Sequence, residues 1–135
     1  MQVSQGPLGV IGDVDVAIPM RDGVRLRANI WRPDADGQCP ALLVRTPYGK
    51  GTETCPYVRH VRAGYAVVCQ DIRGRYASEG TFVPFSTATR DPEDGYDSVE
   101  WLAAQPWCNG RVGTMGASYC GWTQWMAART RPPHL

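Results

Sequence analysis

Two short runs constrain this chain more than anything else in its sequence. Ala41-Leu42-Leu43-Val44 and Tyr65-Ala66-Val67-Val68-Cys69 are apolar throughout, without the alternation of a strand that shows one face to water. Such strands are buried on both faces, which calls for a parallel sheet with helices above and below it. The intervening segment predicts a helix over about 54–63, stopped by Gly64. Upstream, residues 13–18 and 24–31 alternate apolar and polar around a Met20-Arg21-Asp22-Gly23 turn, the pattern of a β-hairpin. Residues 33–40 read as a loop.

The segment 72–90 is rich in Gly, Arg, Ser and Thr and reads as a long loop, with a short extended piece at 81–85. Asp91-Pro92-Glu93-Asp94 then marks a helix start: Asp91 is expected to cap free amides, Pro92 suits the first turn, and the acids complement the helix dipole. Tyr96, Val99, Leu102 and Ala103 give that helix an apolar stripe as far as Gln105. A turn at 106–110, a strand over 111–115 and a helix over 119–128 complete the chain. The fold class is therefore α/β: an amino-terminal hairpin plus a mostly parallel sheet flanked by helices, in one domain over 1–135. Three polar loops, 46–50, 71–80 and 116–119, fall at the carboxyl ends of strands, where such sheets gather their functional groups.

Composition removes several function classes. Fourteen basic against 13 acidic side chains give a net charge of +1, scattered along the chain, so neither nucleic acid nor a charged membrane is expected as partner. The amino terminus, MQVSQGPLGVIG, has no signal-peptide pattern, and no run approaches membrane-spanning length. Five cysteines (39, 55, 69, 108, 120) without a C-x-x-C pair argue against a disulfide framework or a zinc site. Cys69 and Cys120 are expected to be buried free thiols, which points to a reducing cytoplasm. No metal or cofactor is implied.

The chemistry-bearing motif is Gly116-Ala-Ser118-Tyr-Cys-Gly121, a G-x-S-x-G set between a strand and a helix. In a nucleophile elbow the serine sits on a strained turn above the sheet, and small residues, here Gly116 and Gly121, let strand and helix approach. Ser118 is the candidate nucleophile.

Five blocks of the sequence, IPMRDGVRLRANIWRP (18–33), LLVRTPYGK (42–50), QDIRGRYASEG (70–80), DGYDSVEWLAAQPWCNGRVG (94–113) and GASYCG with WTQW (116–125), resemble the serine α/β-hydrolase family of cocaine esterase, α-amino-acid ester hydrolases and X-prolyl dipeptidyl peptidases. The resemblance implies that Ser118 is acylated, that the Tyr48 hydroxyl donates to the oxyanion, and that the backbone N–H of Tyr119 is the second donor. The substrate it implies is a small-molecule ester, amide or X-Pro peptide. Asp71, Arg73, Arg75 and Glu79 are expected to form loop-fixing ion pairs. Asp94, Asp97 and Glu100 are expected to face solvent or basic groups, and Trp101, Trp107, Trp122 and Trp125 to serve packing.

A triad also needs a carboxylate and a histidine, which follow the serine in α/β-hydrolases. No Asp or Glu follows Ser118, and His60 and His134 are both poorly placed in sequence to act as base. The sequence thus reads as the front part of such a domain, truncated after the elbow helix, with the outer edge of the elbow strand bare. Three readings follow: part of a serine hydrolase completed by further residues, a non-catalytic partial domain that binds another chain at its open sheet edge, and a broken reading frame without function.

Overall fold

The computed structural model describes residues 9–135; the amino-terminal stretch in which no signal-peptide pattern is read, residues 1–8, lies outside the described residues. The hairpin pairs β1 (Gly9–Pro19) with β2 (Arg25–Asp34) in antiparallel register from Gly9↔Asp34 to Pro19↔Arg25, with a bulge between Asp13 and Val16. Its turn closes through Met20 N–H to Val24 O at 2.8 Å, and the Asp22 carboxylate accepts the Val24 amide at 3.2 Å. The alternation that predicts the hairpin is visible only in its inner half, since Ile18, Leu26, Ala28 and Ile30 are buried while Val10, Ile11 and Val14 stay exposed.

The two apolar runs become β3 (Cys39–Thr46) and β4 (Ala66–Asp71), joined in parallel from Ala41↔Ala66 to Thr46↔Asp71. β5 (Cys108–Thr114) lies parallel on the other side of β3, and β2 closes antiparallel on β4, giving the order β1-β2-β4-β3-β5. The sheet is mixed, with its hairpin half antiparallel and its β4-β3-β5 half parallel. Alternate residues of the central strands feed separate cores. Leu43, Val68, Ala28 and Val112 meet Val99 and Leu102 on one face, while Val44, Val67, Cys69 and Trp31 meet Val61 on the other.

The first helix, α1 (Val58–Arg62), is much shorter than the expected 54–63. Pro56 explains this, because it lacks an amide and biases Cys55 away from the helical region. No strand forms at 81–85; the 3-10 turn Thr87–Thr89 leads instead directly into α2 (Asp91–Ala103). Strand β5 begins at Cys108, three residues earlier than expected, so part of the predicted turn is strand. The last helix, α3 (Tyr119–Ala128), falls where expected. The outer edge of β5, expected to be bare, is met by the final segment: Val112 N–H donates to His134 O at 3.0 Å.

The start of α2 differs most in its chemistry. Asp91 does not cap the helix; Arg90 occupies that position with a left-handed backbone and no side-chain cap bond. The Asp91 carboxylate instead takes both ends of the Arg45 guanidinium, at 2.9 and 3.1 Å, in a pair with side chains only 2% and 6% exposed. Arg45 Nε donates to Gln70 at 3.0 Å, and Gln70 donates to Ser98 at 2.9 Å. Asp94 meets a basic group, one of the two settings expected for it, but is buried there: it accepts two bonds from Arg73, which also holds Asp22 of the hairpin turn. Asp97 pairs with Arg21, and Glu100 with His134.

A buried ion that loses its partner keeps its desolvation cost. Asp91→Ala is expected to destabilise the fold by about 3–5 kcal/mol, measured by urea denaturation, whereas Asp13→Ala at the more exposed Arg32 pair should cost no more than about 1 kcal/mol.

Candidate active site

The parallel half of the sheet sends the ends of β3, β4 and β5 to one side, so the loops after Thr46, Asp71 and Thr114 converge there. The loop after β3 carries Tyr48. Thr46 Oγ1 accepts the Tyr48 amide at 2.9 Å, Arg75 Nε donates to Pro47 O at 3.0 Å, and Asp71 accepts the Lys50 amide at 2.7 Å. Three bonds therefore fix a loop whose tyrosine ring is itself 60% exposed. Among the described residues, the expected ion pairs of the 71–80 loop are found only for Arg73 and Glu79. Asp71 and Arg75 bind backbone amides and a carbonyl instead.

The loop after β5 is the strand-to-helix junction. Met115 N–H donates to Leu43 O at 3.1 Å, so β3 still guides the chain at the end of β5. Ser118 then adopts φ +58° and ψ −124°, outside the regions open to residues with a Cβ without strain, and its side chain is exposed. Helix α3 starts at once, with the Gly121 amide donating to Ser118 O at 2.8 Å. Thr123 Oγ1 donates to Arg45 O at 3.1 Å and locks the helix to β3. Gly116 is required where it stands: its φ is +128°, and a Cβ there would lie 2.5 Å from that of Cys120. Gly121 is not, since a Cβ would come no nearer than 3.9 Å to Gly116 O, so the expected need for small residues on both sides holds on one side only.

The three residues singled out from sequence come together. The Tyr48 hydroxyl donates to Ser118 Oγ at 3.3 Å, and the Tyr119 amide donates to the Tyr48 hydroxyl oxygen at 3.4 Å. Both contacts are long for hydrogen bonds of their kind. The Tyr119 phenol points elsewhere. It accepts the Phe85 amide at 3.0 Å and packs among Phe82, Phe85 and Trp122, and burial raises its pKa above the ordinary phenol value.

Neither histidine reaches Ser118. His60 sits edge-on to Tyr57, and His134 Nδ1 lies 2.6 Å from Glu100. Trp101 and Trp107 pack against the core as expected, but Trp125 is 76% exposed. Among the described residues no His, Cys, Asp and Glu cluster could hold a metal ion, and all five thiols are free. Burial pushes the Cys69 thiol up to about 12, leaving it inert at neutral pH.

Known proteins share this layout. The family model described as X-Pro dipeptidyl-peptidase (S15 family) matches residues 22–135, most of the chain. The chain belongs to that family of serine hydrolases. Its relatives include the cocaine esterase of Rhodococcus sp. (strain MB1 Bresler), 51% identical over 120 residues, which span 84% of this chain and 20% of that protein. A putative serine esterase of Mycobacterium bovis is 32% identical over 127 residues, again 20% of its length. Among solved structures, a CocE/NonD family hydrolase from Staphylococcus aureus superposes with a TM-score of 0.84 at 36% identity, covering 93% of this chain and 26% of that one. An α-amino acid ester hydrolase covers the whole chain, and 25% of its own, with a TM-score of 0.80 at 31% identity. The chain thus spans about one fifth of the length of the curated relatives it matches.

The glycine geometry gives a direct test. Gly116→Ala is expected to lower the melting temperature by several degrees, because two backbones must part to admit the new carbon. Gly121→Ala, on the third position of α3, should be neutral or stabilise by up to about 1 kcal/mol through helix propensity. Thermal melts of the two variants check the difference.

Proposed function

We propose that this chain carries the nucleophile and both oxyanion donors of a serine hydrolase acting on esters, amides or X-Pro peptides through an acyl-Ser118 intermediate. The observation that carries the reading is the meeting of three groups from two loops: Ser118 Oγ, the Tyr48 hydroxyl and the Tyr119 amide, linked by contacts of 3.3 and 3.4 Å. Ser118 Oγ attacks the substrate carbonyl carbon while its proton passes to a base. The carbonyl oxygen becomes an anion and takes the Tyr48 O–H and Tyr119 N–H, which exchange their mutual contact for bonds to it. Collapse of the adduct breaks the bond to the alcohol or amine, which leaves with the proton, and water then releases the acid. A neutral phenol suits this task because it donates without adding a charge to the ground state.

The base and the carboxylate that orients it are assigned to residues other than these 135, since neither His60 nor His134 approaches Ser118. Removing the base of such a triad costs roughly 10⁶ in kcat, so efficient turnover depends on those residues. The S15-family match and the ester hydrolases among the relatives support acyl transfer as the reaction class. Five free thiols support a reducing compartment such as the cytoplasm.

A fluorophosphonate probe should label the full-length protein at Ser118, and Ser118→Ala should abolish the label; labelling that survives the substitution removes Ser118 from the reaction. Tyr48→Phe is expected to lower kcat for ester hydrolysis by roughly 10²–10³ with little change in KM, because its bond forms only in the transition state.

A further inference from the structure

Tyr76 is held in a costly conformation and then shows most of its ring to solvent. Its φ is +46°, and the residue is 68% exposed. Glycine or asparagine would accept that backbone more readily, and an aromatic ring in water gains nothing from burial. Stability alone does not account for a tyrosine here. The surrounding loop fixes it nonetheless. Asp71 accepts the Ala77 amide at 3.2 Å, the Ser78 amide donates to Arg75 O at 3.0 Å, and the Arg75 guanidinium lies 5.2 Å from the ring centre. The ring also rests against Gly49, where a Cβ would sit 3.2 Å from it.

Tyr76 and Tyr48 flank a cleft of about 360 Å³ whose remaining border includes Gly49, Lys50, Gly51 and Ala77. The cleft shares Tyr48 with the proposed reacting centre, since the hydroxyl of that residue lies 3.3 Å from Ser118 Oγ. Its far wall is rigid: buried Asn29 donates to Gly51 O at 3.2 Å and to Thr52 O at 2.8 Å. The charged groups at its border are already engaged. The Lys50 ammonium, on a side chain 8% exposed, is 3.1 Å from Asp15, and the two oxygens of Asp71 accept the Lys50 and Ala77 amides. What remains for a ligand is two phenol rings, the small side chains of Thr52 and Ala77, and glycine peptide edges.

We infer that this cleft is a subsite for a neutral, planar apolar group of the substrate, and that Tyr76 is the residue that selects it. The inference rests on the acyl-transfer reading for the identity of the substrate, though not for the binding itself. An ammonium or carboxylate entering the cleft would shed water without meeting an exposed counter-ion, since Asp71 is buried and Lys50 is paired, whereas an aryl ring can stack edge-on or offset against either tyrosine. The strain at Tyr76 is then the cost of presenting that ring to the cleft it shares with Tyr48.

The test is equilibrium binding to the full-length protein of two probes that differ in charge, benzyl alcohol and benzylammonium, followed by ligand-observed NMR titration. Benzyl alcohol is expected to bind about tenfold more tightly than benzylammonium, and Tyr76→Ala to weaken it about tenfold, while Tyr76→Phe retains it. Tyr76→Asn tolerates the left-handed backbone and should lose binding as the alanine variant does, separating loss of the ring from collapse of the loop. Wild-type affinity in both Tyr76→Ala and Tyr76→Asn, or benzylammonium binding as tightly as the alcohol, overturns the subsite. Ser118→Ala should bind benzyl alcohol like the wild type, so the subsite can stand or fall independently of the nucleophile.

Discussion

A guanidinium withdrawn from water holds this structure together. Arg45 lies at the end of the central strand β3, with its side chain 2% exposed, and it must find anions and carbonyls to replace its hydration. It finds Asp91 at the start of α2 and Gln70 on β4, while its own carbonyl accepts Thr123 of α3. One side chain and one carbonyl thereby tie two helices and a neighbouring strand to the point where β3 turns into the Tyr48 loop. A second set, Arg73 between Asp94 and Asp22, fastens the hairpin turn to the same helix. Hydrophobic packing alone is non-directional and would let these elements slide; the fork geometry of the arginines does not.

That fixation matters because the site is assembled from two loops of opposite character. The Tyr48 loop is held by hydrogen bonds from Thr46, Arg75 and Asp71 and carries little backbone strain at the tyrosine. The Ser118 junction stores strain, with φ at +58°, and survives because β3 pairing before it and helix α3 after it leave no relaxed alternative. Rigid surroundings turn that strain into a hydroxyl fixed above the sheet. Burial favours the neutral form of Asp71 and Asp94, yet each is opposed by its partners, amides for Asp71 and Arg73 for Asp94. These carboxyls serve to place other groups.

The buried face of α2 shows where pattern reading fails. Asp91, Asp94, Gly95 and Ser98 are buried along with Val99 and Leu102, while Tyr96, expected in the apolar stripe, lies partly exposed under Arg21. Polar residues at inward positions look solvent-facing until their partners, distant in sequence, are known. Gly95 has a similar explanation: Ala127 of α3 packs so closely that a Cβ would lie 2.6 Å from its methyl. No periodicity within α2 carries that information. The exposed Trp125 runs the other way, an apolar residue read as packing that the described residues leave uncovered.

Local chemistry was enough to determine the main strands and helices and their order, though not the length of α1 or the 3-10 turn before α2. Continuous apolar runs specify strands buried on both faces, Asp-Gly and Pro mark where the chain turns, and G-x-S-x-G between strand and helix marks the strained serine. These depend on neighbours within a few residues, so they are legible along the chain. Only the tertiary structure decided what depends on residues far apart in sequence: that Asp91 serves Arg45 and not the helix end, that β5 joins β3 and brings Ser118 to Tyr48, and that Tyr76 lines a cleft together with that same tyrosine. Such pairings are set by the packing of the whole sheet, and no local preference encodes them.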